Sequence, residues 1–164
     1  MKAFEQIYTE FSSQIYNYLL YLSGSSDVAE ELMQETFYQA FISIHRFKGN
    51  CELRTWLYQI GKHSYYKLNK KELKQGFNVG NYIDIADLHT PEKAYEIKEV
   101  NKSFKEAIRR IDQPYKDVLV LRLVNELKFK EIAEVLNQTE NWSKVTFYRG
   151  KLKLRVVLEK ELIE

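Results

Sequence analysis

Apolar residues recur along most of this chain at the spacing of an α-helix. Phe4, Ile7, Phe11, Ile15, Tyr18, Leu19 and Leu22 lie on one side of a helix over 4–23, which Gly24-Ser25-Ser26 ends. Asp27 is read as the cap of the next helix, with Glu30 as its capping-box partner. That helix extends to about His45 and is expected to bury Met33, Phe37, Ala40, Phe41 and Ile44. Its other side presents Glu31, Gln34, Glu35 and Tyr38 at i, i+3, i+4 and i+7, one continuous polar patch. A loop with Gly49-Asn50 comes next, then a helix from near Arg54 to about Leu73. Leu57, Ile60, Gly61, Ser64 and Leu68 are its inner face, with Trp56 over its start and Gln59, Lys62, His63, Tyr66, Lys67 and Lys70 opposite.

The periodicity fails between Gln75 and Pro91, which reads as a linker. It resumes from Glu92 to Ile111 through Ala94, Ile97, Val100, Phe104, Ala107, Ile108 and Ile111. Asp112, before Pro114, is a possible cap for a helix carrying Tyr115, Val118, Leu119, Leu121, Arg122 and Leu123. Phe129, Ile132, Ala133 and Leu136 then form a short stripe, Asn137-Gln138 break it, and Thr139 is placed to cap the last helix. That helix carries Lys144, Arg149, Lys151, Lys153 and Arg155, with no acid between Asn141 and Arg155. A short helix, a turn and a cationic helix make the helix-turn-helix plan, in which the second helix enters the DNA major groove. A surface hairpin with a solvated charge face has the same pattern. The pattern predicts an all-α protein of two small helical domains, 1–74 and 92–164, joined by a flexible linker at 75–91.

Net charge is only +2, but its distribution is uneven. Lys2 is the one cation before Arg46, against Glu5, Glu10, Asp27, Glu30, Glu31 and Glu35. From Arg46 to Lys71, seven cations face Glu52 alone. An acidic surface followed by a basic one predicts two kinds of partner, one of them anionic. On the third helix rings and cations alternate, a pattern that suits a single nucleic-acid strand or, equally, a solvated amphipathic face. One cysteine, Cys51, excludes an internal disulfide and fits a reducing, cytoplasmic setting. Neither a signal peptide nor a membrane-spanning run is evident. His45, Cys51, His63 and His89 match no zinc spacing, and Glu30, Glu31 and Glu35 lack partners for catalysis; no metal, cofactor or enzymatic activity is expected.

Three segments in order resemble the bacterial RNA polymerase sigma factors of the extracytoplasmic-function group. Residues 29–37 (AEELMQETF) resemble the family's AEDxxQETF, with Glu31 for the usual Asp. Phe47-Lys48-Gly49 and 55–63 (TWLYQIGKH) resemble its loop and WLYRIAxN helix, with His63 for the usual Asn. Residues 114–122 (PYKDVLVLR) and 129–136 (FKEIAEVL) resemble its fourth conserved region.

The resemblance implies a factor that directs promoter-specific initiation. Glu31, Gln34, Glu35 and Tyr38 would dock on the clamp helices of core RNA polymerase. Phe47, Lys48, Asn50, Arg54, Trp56, Gln59, Lys62, His63, Tyr66, Lys67 and Lys70 would melt and hold the promoter −10 element. Thr139, Asn141, Trp142, Lys144, Val145, Thr146, Tyr148, Arg149 and Lys151 would read the −35 duplex, while their domain docks on the polymerase flap. Promoter DNA and an inhibitory anti-sigma factor are the further implied partners. Thr146 stands where the family often has Arg, removing one phosphate-binding cation, and Gly150 costs roughly 1 kcal/mol against Ala inside a helix. The rival reading is a stand-alone helix-turn-helix regulator.

Overall fold

The computed structural model describes residues 2–74 and 95–163, with side chains from 3–71 and 102–160. The expected linker and the start of the helix expected from Glu92, with Ala94, Ile97 and Val100, lie outside the residues so described. Among the described residues every regular element is helical: α1 (Lys2–Ser23), α2 (Ser26–Ser43), α3 (Leu53–Lys74), α4 (Tyr95–Arg109), α5 (Tyr115–Leu119), α6 (Phe129–Leu136) and α7 (Glu140–Ile163). A 3₁₀ turn, Ile44–Arg46, follows α2, and a π-helical turn, Val120–Val124, follows α5.

The first three helices make one bundle. Ile15, Tyr18, Leu19 and Leu22 of α1 are buried against Ala29, Leu32, Phe37 and Ala40 of α2 and Leu57, Tyr58 and Tyr65 of α3. Gly24, at a φ of 73°, turns the chain between α1 and α2, a left-handed backbone that costs glycine least. Two details depart from expectation. Ser25, not Asp27, caps α2, its Oγ accepting from the Val28 N–H at 3.4 Å. Phe41, still on regular α2 and edge-on to Phe4, and Ile44, where the 3₁₀ turn begins, are both exposed rather than buried.

The second set packs α5, α6 and α7 around Val118, Leu119, Leu121, Leu127, Ile132, Val135, Phe147 and Leu154. The N-terminal end of α5 is served by Gln113 rather than Asp112: its side-chain oxygen accepts from the Asp117 N–H at 3.1 Å. The Asn125 N–H reaches back five residues to the Val120 carbonyl, and this widened turn leaves Leu123 on the surface. Asn137, left-handed at a φ of 55°, closes α6. Thr139 caps α7 as expected, accepting from the Trp142 N–H at 3.0 Å.

Gly150 faces Leu119 so closely that an added Cβ would lie 3.1–3.4 Å from three Leu119 carbons. Replacing it by Ala should gain about 1 kcal/mol of helix propensity and lose about 1–3 kcal/mol to overpacking against this fully buried leucine. Gly150→Ala is therefore expected to lower the urea midpoint. Adding Leu119→Ala should cost less in that background than in the native one; additive losses would contradict the contact.

The two sets do not stand apart. Their buried residues form one continuous apolar cluster: α6 lies on α3, and α1 meets α4 and the π-helical turn.

Candidate nucleic-acid interface

Three surfaces carry the residues that sequence reasoning singles out. On α2, Glu31, Gln34, Glu35 and Tyr38 are all exposed and share a face, as their spacing requires. The Gln39 amide donates to Glu35 Oε1 at 2.9 Å one turn on, while the Glu31 carboxylate stands in solvent. No metal-ligating cluster of three or more His, Cys, Asp or Glu side chains occurs among the described residues.

The second surface runs along the loop after the 3₁₀ turn and onto α3. Lys48 and Asn50 are exposed at the loop tip, and Phe47 lies over Trp56, ring centroids 5.0 Å apart, anchoring the loop to the first turn of α3. His63 and Lys67 line a groove of about 690 Å³ between α3 and α2, whose opposite wall holds Glu31 and Glu35. The acidic patch and the basic helix thus meet along one cleft. Lys70 is exposed beyond it, and Lys62 is partly buried.

The rest of this second group is engaged elsewhere in the molecule. Arg54 donates to Glu131 Oε2 of α6, Gln59 donates to the Glu134 carbonyl at 2.7 Å, and Tyr66 donates to Asp117 Oδ2 at 2.9 Å. The expectation that Arg54, Gln59 and Tyr66 lie open to a DNA strand needs correcting for this conformation. Their side of α3 is outward within the first bundle, and the second helical set partly covers it, leaving all three half-buried and Gln59 also on the groove wall. Asp117 is almost fully buried and accepts at Oδ1 from Tyr18 at 2.8 Å as well. Burial drives its pKa above the usual carboxylate value, against the opposing pull of the two tyrosine hydroxyls, Lys62 and Lys116. Desolvation first, then the Asp117 charge, raises the Tyr66 hydroxyl far above its ordinary range. Asn125 donates to the Gln14 carbonyl at 3.0 Å, and Lys116 reaches the Leu22 carbonyl at 3.4 Å.

Gln14, Tyr18, Asp117, Asn125, Glu131 and Glu134 are not among the site residues expected from the sequence. Asp117 had a usable signal: it shares a helical face with Val120, Leu121 and Val124, which points it inward. Glu131 also accepts from the Lys128 N–H at 3.0 Å. Burial works against its charge, but these bonds and Arg54 hold its carboxyl below the usual range.

The third surface is the N-terminal half of α7. Thr139, Asn141, Lys144, Val145, Tyr148, Arg149 and Lys151 are exposed and Trp142 is half-buried. Lys151 lies 4.8 Å from the Tyr148 ring centroid, so its charge is held at this surface. Thr146 is the exception at 5% exposed. It falls with Ser143, Phe147, Gly150 and Leu154 on the face packed against α5 and α6, and is not offered to a duplex.

Comparison with known proteins assigns the fold. Residues 7–72 match the family model for sigma-70 region 2, and residues 102–154 match that for sigma-70 region 4. The chain therefore belongs to the sigma factors of bacterial RNA polymerase, in the extracytoplasmic-function group, which act in promoter-directed transcription initiation. It is 26% identical to RNA polymerase sigma factor YlaC of Bacillus subtilis, covering 92% of this chain and 89% of that protein. It is 29% identical to the ECF sigma factor SigW of the same organism, over 93% and 87%. Among solved structures, sigma factor RpoE in complex with anti-sigma factor NepR from Bartonella quintana superimposes with a TM-score of 0.79 at 19% identity, covering 97% and 98% of the two chains. CnrH in complex with the cytosolic domain of CnrY gives 0.74 at 18%, over 97% and 89%. None of the described helices is long and apolar enough to cross a membrane.

Proposed function

We propose that residues 1–74 dock on core RNA polymerase and hold the melted −10 strand, while residues 92–164 read −35 as duplex. Residues 75–91 would join the two. The observation that carries this reading is the cleft between α2 and α3, with Glu31 and Glu35 on one wall and His63 and Lys67 on the other. Such a cleft lets one small bundle face a basic protein surface and an anionic strand side by side. Phe47 and Trp56 add ring surface beside it, and base–aromatic stacking is worth about 1–3 kcal/mol per base. The cationic outer face of α7 suits a duplex major groove. The solved relatives named with NepR and CnrY support an anti-sigma protein as a further partner.

Mixing the purified chain with core RNA polymerase should give promoter-specific RNA. Tight duplex binding without polymerase, and no initiation with it, would favour a stand-alone regulator instead. Arg149→Ala should weaken binding to a −35 duplex about tenfold, a loss of about 1.4 kcal/mol, and lower the salt slope by about one. Opening of a −10 bubble by polymerase should change far less. Equal losses at both elements would contradict the assignment of α7.

A further inference from the structure

We infer, on the reading of α7 as the duplex-binding helix, that Val145 selects a thymine in that duplex through the C5-methyl group in the major groove. Val145 is 38% exposed and lies across the helix from Ser143, Phe147, Gly150 and Leu154, which face the rest of the domain. Asn141 and Arg149 stand one turn before and one turn after it on the same outward stripe, with Lys144 and Tyr148 beside it. Thr139, Asn141, Lys144, Tyr148, Arg149 and Lys151 each carry a side-chain hydrogen-bonding or charged group. Val145 carries none, and it occupies the middle of the stripe.

Base edges in the major groove offer donors, acceptors and, on thymine alone, a methyl group. A side chain ending in two methyls can gain only from that methyl. Against adenine or cytosine it would strip water from an exocyclic amine, and against guanine from a ring oxygen, and return no hydrogen bond. Val145 would therefore attract thymine and reject the other three bases. Lys144 and Arg149 flank it, so the charges that draw α7 to the duplex also bring the valine against the base edges. Helix formation gives no reason for a valine here, since alanine, leucine, lysine or glutamate serves an exposed helical position better.

The contact is set up before DNA arrives. Valine in a helix keeps one χ1 rotamer about 90% of the time, so its methyls lose little freedom on binding. The turn that carries it is fixed at its start, where the Trp142 N–H donates to Thr139 Oγ1 at 3.0 Å and Ser143 Oγ donates to the Thr139 carbonyl at 3.3 Å. Phe147 lies edge-on to Phe129 of α6, ring centroids 5.4 Å apart, and the Gly150 backbone rests on Leu119. These contacts hold the outward face at one angle, as recognition of a single methyl requires. The long, flexible Lys144 suits a phosphate instead.

The test uses the full chain with core RNA polymerase, selecting from duplexes randomised across the −35 position. The selected sequence should hold a thymine whose replacement by deoxyuridine, which removes only the methyl, weakens binding about fourfold. Changing that T·A pair to C·G should weaken binding about tenfold. Val145→Ser removes both γ-methyls at an exposed position, so helical content should not change. This variant should bind the thymine and deoxyuridine duplexes equally. A selected sequence without thymine, thymines that all tolerate deoxyuridine, or a fourfold loss that persists in Val145→Ser would overturn the role of Val145 and leave α7 as the duplex reader. If no −35 sequence is selected, the duplex reading of α7 fails, and the role of Val145 with it.

Discussion

Replacing Asp117 by alanine is expected to cost about 2–4 kcal/mol of stability, a large share of the roughly 5–15 kcal/mol that holds a domain folded. The substitution leaves the hydroxyls of Tyr18 and Tyr66 without their acceptor, and Tyr18 is fully buried. Each carboxyl oxygen of Asp117 accepts from one of the two hydroxyls. An amide at this position keeps one acceptor oxygen, so Asp117→Asn should cost less than Asp117→Ala. Urea unfolding at neutral pH measures both. A loss below about 0.5 kcal/mol for the alanine variant, the range of an ordinary surface change, would contradict the buried network.

The same carboxyl sets a pH dependence whose sign is unusual. Burial raises its pKa in the folded state, so the native protein holds this proton where the unfolded chain has released it. Its contribution to stability is then greatest at low pH and falls as pH rises from the ordinary carboxylate value through the raised one. Glu131 works in the opposite direction. Its pKa is lowered overall, so its contribution is present above the ordinary value and is lost as pH falls through the depressed one. Asp117→Asn should therefore steepen the acid-side loss of stability, and Glu131→Gln should flatten it.

Reversing both charges at Glu31 and Glu35, as Glu31→Lys with Glu35→Lys, should weaken binding to core polymerase by about 100-fold, near 2.7 kcal/mol, if the patch meets a basic surface. Both residues are exposed and neither holds the bundle together. The thermal midpoint and helical content should stay close to those of the native protein, and binding to a −35 duplex should not move. Unchanged polymerase affinity would sink the docking assignment. A loss that persists at high salt would place it in packing rather than charge.

The helical order was legible because amphipathic periodicity is a local property. Ile15, Tyr18, Leu19 and Leu22 repeat as a buried stripe must, and they are buried. Errors cluster where a neighbouring turn changes the register. Ile44 reads as inward on an unbroken α2, but the 3₁₀ turn begins there and it is exposed. Asp112 has the chemistry of a cap, as does Gln113, and only backbone geometry chooses Gln113. Thr146 stands one residue from the exposed Val145 in a segment that reads as a DNA-facing surface. At about 100° per residue, that step turns it into the core.

The sequence by itself determined the helices, the acidic and basic faces on separate elements, the helix-turn-helix with its Thr139 cap, and the family. All of these depend on residues within one or two helical turns, or on motifs in linear order. Tertiary structure alone decided what Arg54, Gln59 and Tyr66 touch, and that Asp117 joins Tyr18 to Tyr66. Those partners lie 51 to 99 residues apart along the chain. A polar side chain on an outward helical face reads the same whether water or a second domain covers it. Its cover depends on how the two helical sets pack, and that packing has no signature within either set.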